Sequence, residues 1–165
     1  MDSLTRGALH LAIQITGSHD DAMDVLQNAV IKAMEHRNAP KPSEKGYKAW
    51  LYRVVRNQAI DFLRSQKKFD RDHDLETVSS PVNDPEKENI REQRKVFLHQ
   101  ALNKLSAEQR EIICLKDFHH FSYAEIAEIM QIEKGTVMSR LHRARTALKD
   151  RLVKMNFFQE ESNEM

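Results

Sequence analysis

Residues 122–154 read SYAEIAEIMQIEKGTVMSRLHRARTALKDRLVK, and the organisation of the chain follows outward from them. Ser122 and Glu125 form an S-x-x-E pattern, in which each side chain satisfies an orphan amide of the first helical turn. Ile126, Ala127, Ile129 and Met130 then make a short amphipathic helix of about two turns. Gln131-Ile132-Glu133 breaks it. In the longer helix that follows, Val137, Leu141, Ala144, Leu148 and Leu152 recur at three- and four-residue steps as one apolar stripe. Two helices joined by a tight turn, the second rich in Arg, are the sequence form of a helix-turn-helix.

Charge sharpens that reading. Between Lys134 and Lys154 stand Lys134, Arg140, Arg143, Arg145, Lys149, Arg151 and Lys154 against the single acid Asp150, in a chain whose net charge is only +1. A basic face can simply keep a surface helix soluble, but a solvated face normally mixes signs, and this one does not. The alternative is a helix that enters a DNA major groove. Thr136, Ser139, Arg140 and Arg143 lie off the Val137/Leu141 stripe, and Arg bonds a guanine edge bidentately. Lys149, Arg151 and Lys154, further along, suit phosphates or solvent.

At 165 residues the length allows one domain or two small ones. Four Gly, four Pro and long 3.6-residue periodicities predict an all-α protein. No apolar run approaches the roughly 20 residues that cross a bilayer, and no secretory signal opens the chain, so no membrane insertion is expected. A single cysteine, Cys114, excludes an internal disulfide and fits a reducing, cytoplasmic setting. Charge divides the chain: residues 1–68 hold 11 basic and 7 acidic groups, 69–95 hold 5 and 8, 96–155 hold 10 and 7, and the tail adds three acids. Two mildly basic modules flanking an acidic connector follow, with boundaries 1–68, a flexible linker at 69–89, 90–155, and a disordered acidic tail at 156–165.

In the first module a short helix over 4–16 points Leu9, Ile13 and Ala12 inward and ends at Gly17-Ser18. A second, from about 19 to 36, buries Ala22, Val25, Leu26, Ala29, Val30 and Ala33. Its other face holds Asp24, Gln27, Asn28, Ile31 and Glu35, and an apolar Ile31 framed by polar residues suits a partner surface, although one exposed Ile needs no explanation. A loop over 37–46 carries two prolines and a glycine. A helix from about Glu44 to Lys68 then places Tyr47, Leu51, Val54, Val55, Gln58 and Phe62 on one side. Arg53, Arg56, Asn57, Arg64 and Lys67 share the other, near Trp50 and Tyr52. Basic groups interleaved with rings suit melting DNA, because rings stack on bases while Arg holds phosphate; equally, Trp50 and Tyr52 can be ordinary core. Ile60 interrupts the basic stripe without a reason in the sequence.

Residues 69–88 carry Pro81, Pro85 and many charges without periodicity. A helix beginning near Glu86 should pack Val96, Phe97, Ala101, Leu102 and Leu105. Ser106 with Gln109 forms a second capping box, opening a helix that packs Ile112, Ile113 and Leu115 and runs to about Phe118; Asp117 to Phe121 turns into the opening motif. Cys114 with His119 and His120 offers no closed metal spacing, and a Cys in an apolar run packs as a small hydrophobe. No phosphate-cradling glycine loop, G-x-S-x-G or acid–base carboxylate pair occurs, so neither a catalytic site nor a cofactor is expected.

With both modules read, the chain resembles the bacterial RNA polymerase sigma factors of the extracytoplasmic-function group. ITGSHDDAMDVLQNAVIKA is similar to their region 2.2 and KAWLYRVVRNQAIDFLRSQKK to regions 2.3 and 2.4. LSAEQREIICLKDFHHFSYAEIAEIMQIEKGTVMSRLHRARTAL is similar to region 4. The resemblance implies a promoter-specificity subunit without catalysis of its own, built as two helical domains on a flexible linker. It implies that Asp24, Gln27, Asn28 and Ile31 dock on the β′ clamp helices of core RNA polymerase, and that region 4 touches the β-flap tip. It assigns −10 promoter recognition and melting to Tyr47, Trp50, Arg53, Arg56, Asn57 and Arg64 with the 38–47 loop, a flipped base being held in a pocket. It assigns −35 recognition to the helix opening at Lys134, Gly135, Thr136 and Met138, through Ser139, Arg140, His142 and Arg143. Promoter DNA and an anti-sigma factor are the further partners implied.

Three departures stand out. Family members carry more chain before LTRGALHLA, so region 2.1 looks clipped here. Met138 replaces a usual Lys or Arg. Gln131 replaces the usual turn glycine, which at positive φ costs on the order of 1 kcal/mol. A stand-alone helix-turn-helix regulator is the alternative function; it would need a dimer interface to space two recognition helices, and no such seam is evident.

Overall fold

In the computed structural model the described residues are 1–70 and 90–155. They form seven α-helices and no strand: α1 (Ser3–Thr16), α2 (His19–Glu35), α3 (Tyr47–Asp70), α4 (Ile90–Asn103), α5 (Ala107–Ile113), α6 (Tyr123–Met130) and α7 (Lys134–Lys154), with one π turn, Cys114–Phe118, continuing α5. The all-α expectation holds. The expected linker falls mostly outside the described residues, as does the tail, and Phe69 and Asp70 belong to α3.

Local chemistry sets the boundaries. Asp2 accepts from the Thr5 amide at 2.7 Å and opens α1. Gly17, at φ 77°, closes it in the left-handed conformation, which glycine adopts without steric penalty. Ser18 caps α2, with Asp20 and Asp21 in its first turn where the helix dipole favours acids. Around α6 the reciprocal box forms: Ser122 Oγ accepts from the Glu125 amide at 3.1 Å and Glu125 Oε1 from the Ser122 amide at 3.0 Å. At α5 only half the expected box exists, Ser106 Oγ accepting from the Gln109 amide.

α1, α2 and α3 pack against one another around Ala8, Leu11, Ala12, Val25, Ala29, Leu51 and Val55. α4 to α7 close around Leu102, Ile112, Ile126, Ile129, Val137 and Leu141. The two groups also meet: α3 lies against α6, and α1 against α5 and the π turn. That second contact corrects several expected faces. α3 buries Ala49, Trp50, Leu51 and Tyr52 in succession because it has neighbours on opposite sides, whereas Tyr47, Val54, Gln58 and Phe62 are only partly buried. Ile60, unexplained in the sequence, packs against the core on the side of α3 that meets Gln131. Ile13 is partly buried while Ala8, Leu11 and Ile15 are inward, and Val30 and Val96 are exposed rather than packed.

Candidate nucleic-acid interface

α7 is anchored by Val137, Leu141, Ala144 and Leu152, all buried, with Leu148 partly so. The anchors fix what the opposite side shows. Lys134, Gly135, Met138, Ser139, His142 and Arg143 are exposed, while Thr136 and Arg140 are partly buried. Ser139 Oγ donates to the Thr136 carbonyl at 3.1 Å, and Arg143 Nε donates to the Ser139 carbonyl at 3.4 Å. Arg140 leans toward Glu108 at 3.8 Å, a loose surface pair of little energetic weight. Arg145 is different. It forks onto Asp117, Nη2 to Oδ1 at 2.5 Å and Nε to Oδ2 at 3.2 Å, so it ties α7 to the π turn. The hydrogen bonds it donates to Asp117 hold its guanidinium pKa above the ordinary value.

The turn before α7 depends on Gln131, which has φ 56° and ψ 48° and donates its backbone N–H to the Ala127 carbonyl. The expected positive-φ cost therefore applies at this position.

The α3 candidates do not form one surface. Tyr47 and Trp50 stack, ring centroids 6.0 Å apart, with His36 edge-on to Trp50. Together with Met34, Pro40 and Pro42 they wall a cavity of about 310 Å³ between the end of α2 and the following loop. Arg56, Asn57 and Arg64 line a separate hollow with Ile60 and Gln131. Arg53 is partly buried. Arg56 is engaged, its Nε donating to Glu111 Oε1 at 2.6 Å, and the two side chains are only 14% and 3% exposed. Burial pushes the Glu111 carboxyl pKa up, and Arg56 partly offsets that. Tyr52 is not a surface ring: it packs edge-on against Phe121 at 4.8 Å, and its burial pushes the phenol up to about 12.

On α2, Asp24, Gln27, Asn28 and Ile31 are all exposed, as the sequence suggests. Sequence reasoning missed their apolar neighbours. Val30, Ile31 and Met34 are 39%, 52% and 82% exposed and make a continuous strip. The spacing of Met34, four residues after Val30 and three after Ile31, was the available signal. Cys114 is fully buried, its thiol pushed up to about 12 by desolvation, which suits packing rather than reactivity.

A helix-turn-helix with a basic outward face, joined to a three-helix unit bearing an aromatic-walled cavity and an exposed apolar strip, has the form of a DNA-binding protein. Comparison with known proteins narrows this. Residues 2–69 match the family Sigma-70 region 2 and residues 96–148 the family Sigma-70, region 4. RNA polymerase sigma factor SigV of Bacillus subtilis is 34% identical over 87% of this chain and 83% of its own length. ECF RNA polymerase sigma factor SigL of Mycobacterium tuberculosis is 32% identical over 84% and 78%. Among solved structures, sigma factor RpoE of Bartonella quintana, in complex with the anti-sigma factor NepR, superposes with TM-score 0.73 at 30% identity, covering 90% of this chain and 91% of that one. The chain belongs to the extracytoplasmic-function group of RNA polymerase sigma factors, subunits that direct core polymerase to promoters, and is not a stand-alone regulator. Among the described residues no helix is long and apolar enough to cross a membrane.

Proposed function

We propose that the two helical groups divide promoter recognition between them, residues 1–68 serving the −10 element and core polymerase, and residues 90–155 the −35 element, with 69–89 as the connector. The observation that carries this is the outward face of α7. Ser139, His142 and Arg143 stand exposed on a helix anchored by the buried Val137, Leu141, Ala144 and Leu152, so the face is held in one orientation. Such a helix enters a major groove, Arg143 being placed for a guanine edge and Lys134 for phosphate. Met138, 60% exposed beside them, offers apolar contact where a base carries a methyl group.

On α2, the Val30–Ile31–Met34 strip framed by Asp24, Gln27 and Asn28 supports docking on the β′ clamp helices, since apolar centres with polar rims mark protein interfaces. Its acid also suits a basic partner groove. The Tyr47/Trp50 cavity supports capture of an extruded base, whose faces a ring can stack and whose pairing edge the 38–47 loop can read. Arg53, Arg56, Asn57 and Arg64 then serve the strand leading to it. Two readers held on one polymerase search locally for each other's element, so neither needs high affinity alone. The subunit works without chemistry of its own, in the cytoplasm, and an anti-sigma factor is a further partner.

Run-off transcription on genomic fragments, with core polymerase and the full chain, tests the reading. New start sites that appear only with the chain, and share paired sequence elements upstream, are expected. Identical starts with and without it would end the proposal.

A further inference from the structure

Between the two helical groups lies a cavity of about 840 Å³, within the range of roughly 300–1,000 Å³ typical of small-molecule sites. Its wall comes from both groups: α1 and α3 supply Ile13 and Leu63, and α4, α5 and the π turn supply Leu102, Arg110 and Phe118. Among the described residues that line it none is Asp or Glu, and Arg110 is the one with a permanent charge. Arg56, Arg140 and Arg145 each face a carboxylate, from Glu111, Glu108 and Asp117, whereas among the described residues none faces Arg110. Its guanidinium is partly buried, and desolvation pushes its pKa below the ordinary value. A cation drawn out of water without a counter-charge is costly, and an anion entering the cavity relieves that cost.

The neighbouring polar groups are spent within the protein. Thr16 Oγ1 donates to the Ala12 carbonyl at 2.8 Å. His119 bridges Gln14 and Tyr52, Nε2 lying 3.3 Å from Gln14 Oε1 and Nδ1 3.5 Å from Tyr52 Oη. Burial, with His10, Lys48 and His120 nearby, pushes its imidazole down to about 4, so the ring is neutral, donating to Gln14 and accepting from Tyr52. Arg110 is left to select the charge of what enters. The rest of the wall is apolar and incompletely covered: Ile13 and Leu63 are only partly buried, and Phe118 is 45% exposed.

We propose that this cavity binds a small amphipathic carboxylate, its head paired with Arg110 and its apolar body against Ile13, Leu63 and Phe118. One permanent positive charge beside a neutral imidazole matches a monoanion rather than a phosphate dianion. A head group alone would leave the apolar part of the wall in water. Because both helical groups contribute to the wall, a molecule held there stabilises the folded chain in proportion to its occupancy. The cavity shares no residue with the Tyr47/Trp50 cavity or with α7, so the site stands apart from the division of promoter elements.

Calorimetric titration of the full-length chain with octanoate tests the site. Saturable binding of one molecule per chain is expected, with octanol and octylamine each weaker by at least about tenfold. Arg110→Gln should weaken octanoate by about 10- to 100-fold, the size of a charge-assisted hydrogen bond, and leave octanol unchanged. Phe118→Ala, at an exposed position, should weaken octanoate and octanol alike, by about three- to tenfold. Far-UV helicity unchanged in both variants assigns these losses to the site. Octanoate should also raise the melting temperature of the parent chain and not that of Arg110→Gln. Non-saturable uptake, equal octanoate affinity in the parent and Arg110→Gln, or octylamine binding as tightly as octanoate overturns the proposal. Inorganic phosphate binding as tightly as octanoate overturns the apolar body and the carboxylate with it. Run-off transcription is not the readout of any arm, so failure here leaves the promoter assignment standing.

Discussion

α3 and α7 are both long helices, 24 and 21 residues, and both carry the basic residues of a DNA-binding protein. Their surroundings differ. α7 rests on its neighbours through one stripe, so its inward and outward faces alternate as a regular helix requires. α3 has α1 and α2 on one flank and α6 on another, and four successive residues, 49 to 52, are buried. A polar residue on α7 is therefore a surface residue by position. On α3 it needs a partner to be there at all, and Arg56 has one in Glu111. The comparison teaches that basic residues identify a nucleic-acid face only where a single packing stripe leaves the opposite face free.

The largest effect that would test the contrast is on stability. Trp50→Ala on α3 should cost about 3–5 kcal/mol, because the indole is 9% exposed and fills space between α2, α3 and the loop. Thr146→Ala on the outward face of α7 should change stability by no more than about 0.5 kcal/mol. Urea unfolding of the two variants measures both. A loss below about 1 kcal/mol at Trp50 would mean that α3 is not packed as described.

Within α7 the outward residues should separate by position along the helix. Arg143→Ala should lower promoter-specific run-off transcription by roughly 10- to 100-fold, the size of one bidentate base contact. Lys154→Ala, in the last turn, should lower it by less than about twofold. Equal effects would remove base reading from Arg143 and leave α7 with general phosphate contact.

How much was legible in the sequence follows from the same contrast. The stripe at Val137, Leu141, Ala144 and Leu152, the Ser122/Glu125 box and the Gly17 stop are local signals, and each is realised in the fold. The exposed set Asp24, Gln27, Asn28 and Ile31 was readable because α2 also packs through one side. What could not be read was the second neighbour of α3. Tyr52 as a buried ring, Ile60 as a packed rather than stray residue, and the engagement of Arg56 all depend on residues more than 50 positions away. The separation of Tyr47 and Trp50 from Arg56 and Asn57, which the sequence grouped as one site, was hidden for the same reason, since a one-sided helical wheel has no place for two opposite contacts. The π turn was hidden because Ile112 to Leu115 is apolar throughout, which leaves no period to distinguish it from α-helix.

α2 offers a third case, a face both regular and apolar. Ile31→Ala should weaken association with core polymerase by about tenfold, the loss expected when a central apolar anchor is truncated. Its melting temperature should stay within a degree or so of the parent, since the side chain is 52% exposed in the free protein. Binding measured by fluorescence anisotropy, beside a thermal melt of the same sample, separates the two quantities. An unchanged binding constant would take Ile31 off the docking face, and Met34 would be the next residue to replace.

The smallest effect concerns the joint between α6 and α7. Gln131 sits at φ 56° because the chain must reverse there, and an L side chain in that conformation crowds its own carbonyl. Gln131→Gly should therefore gain up to about 1 kcal/mol, raising the melting temperature by a few degrees. Gln131→Ala should gain nothing, because it keeps the Cβ that creates the crowding. The pair of variants isolates backbone strain from any loss of the Gln side chain, which borders the hollow beside Arg56 and Arg64. If Ala stabilises as much as Gly, the side chain rather than the backbone is at fault. The turn would then be set by what α3 presses against it, and α6 would share the two-sided packing that distinguishes α3 from α7.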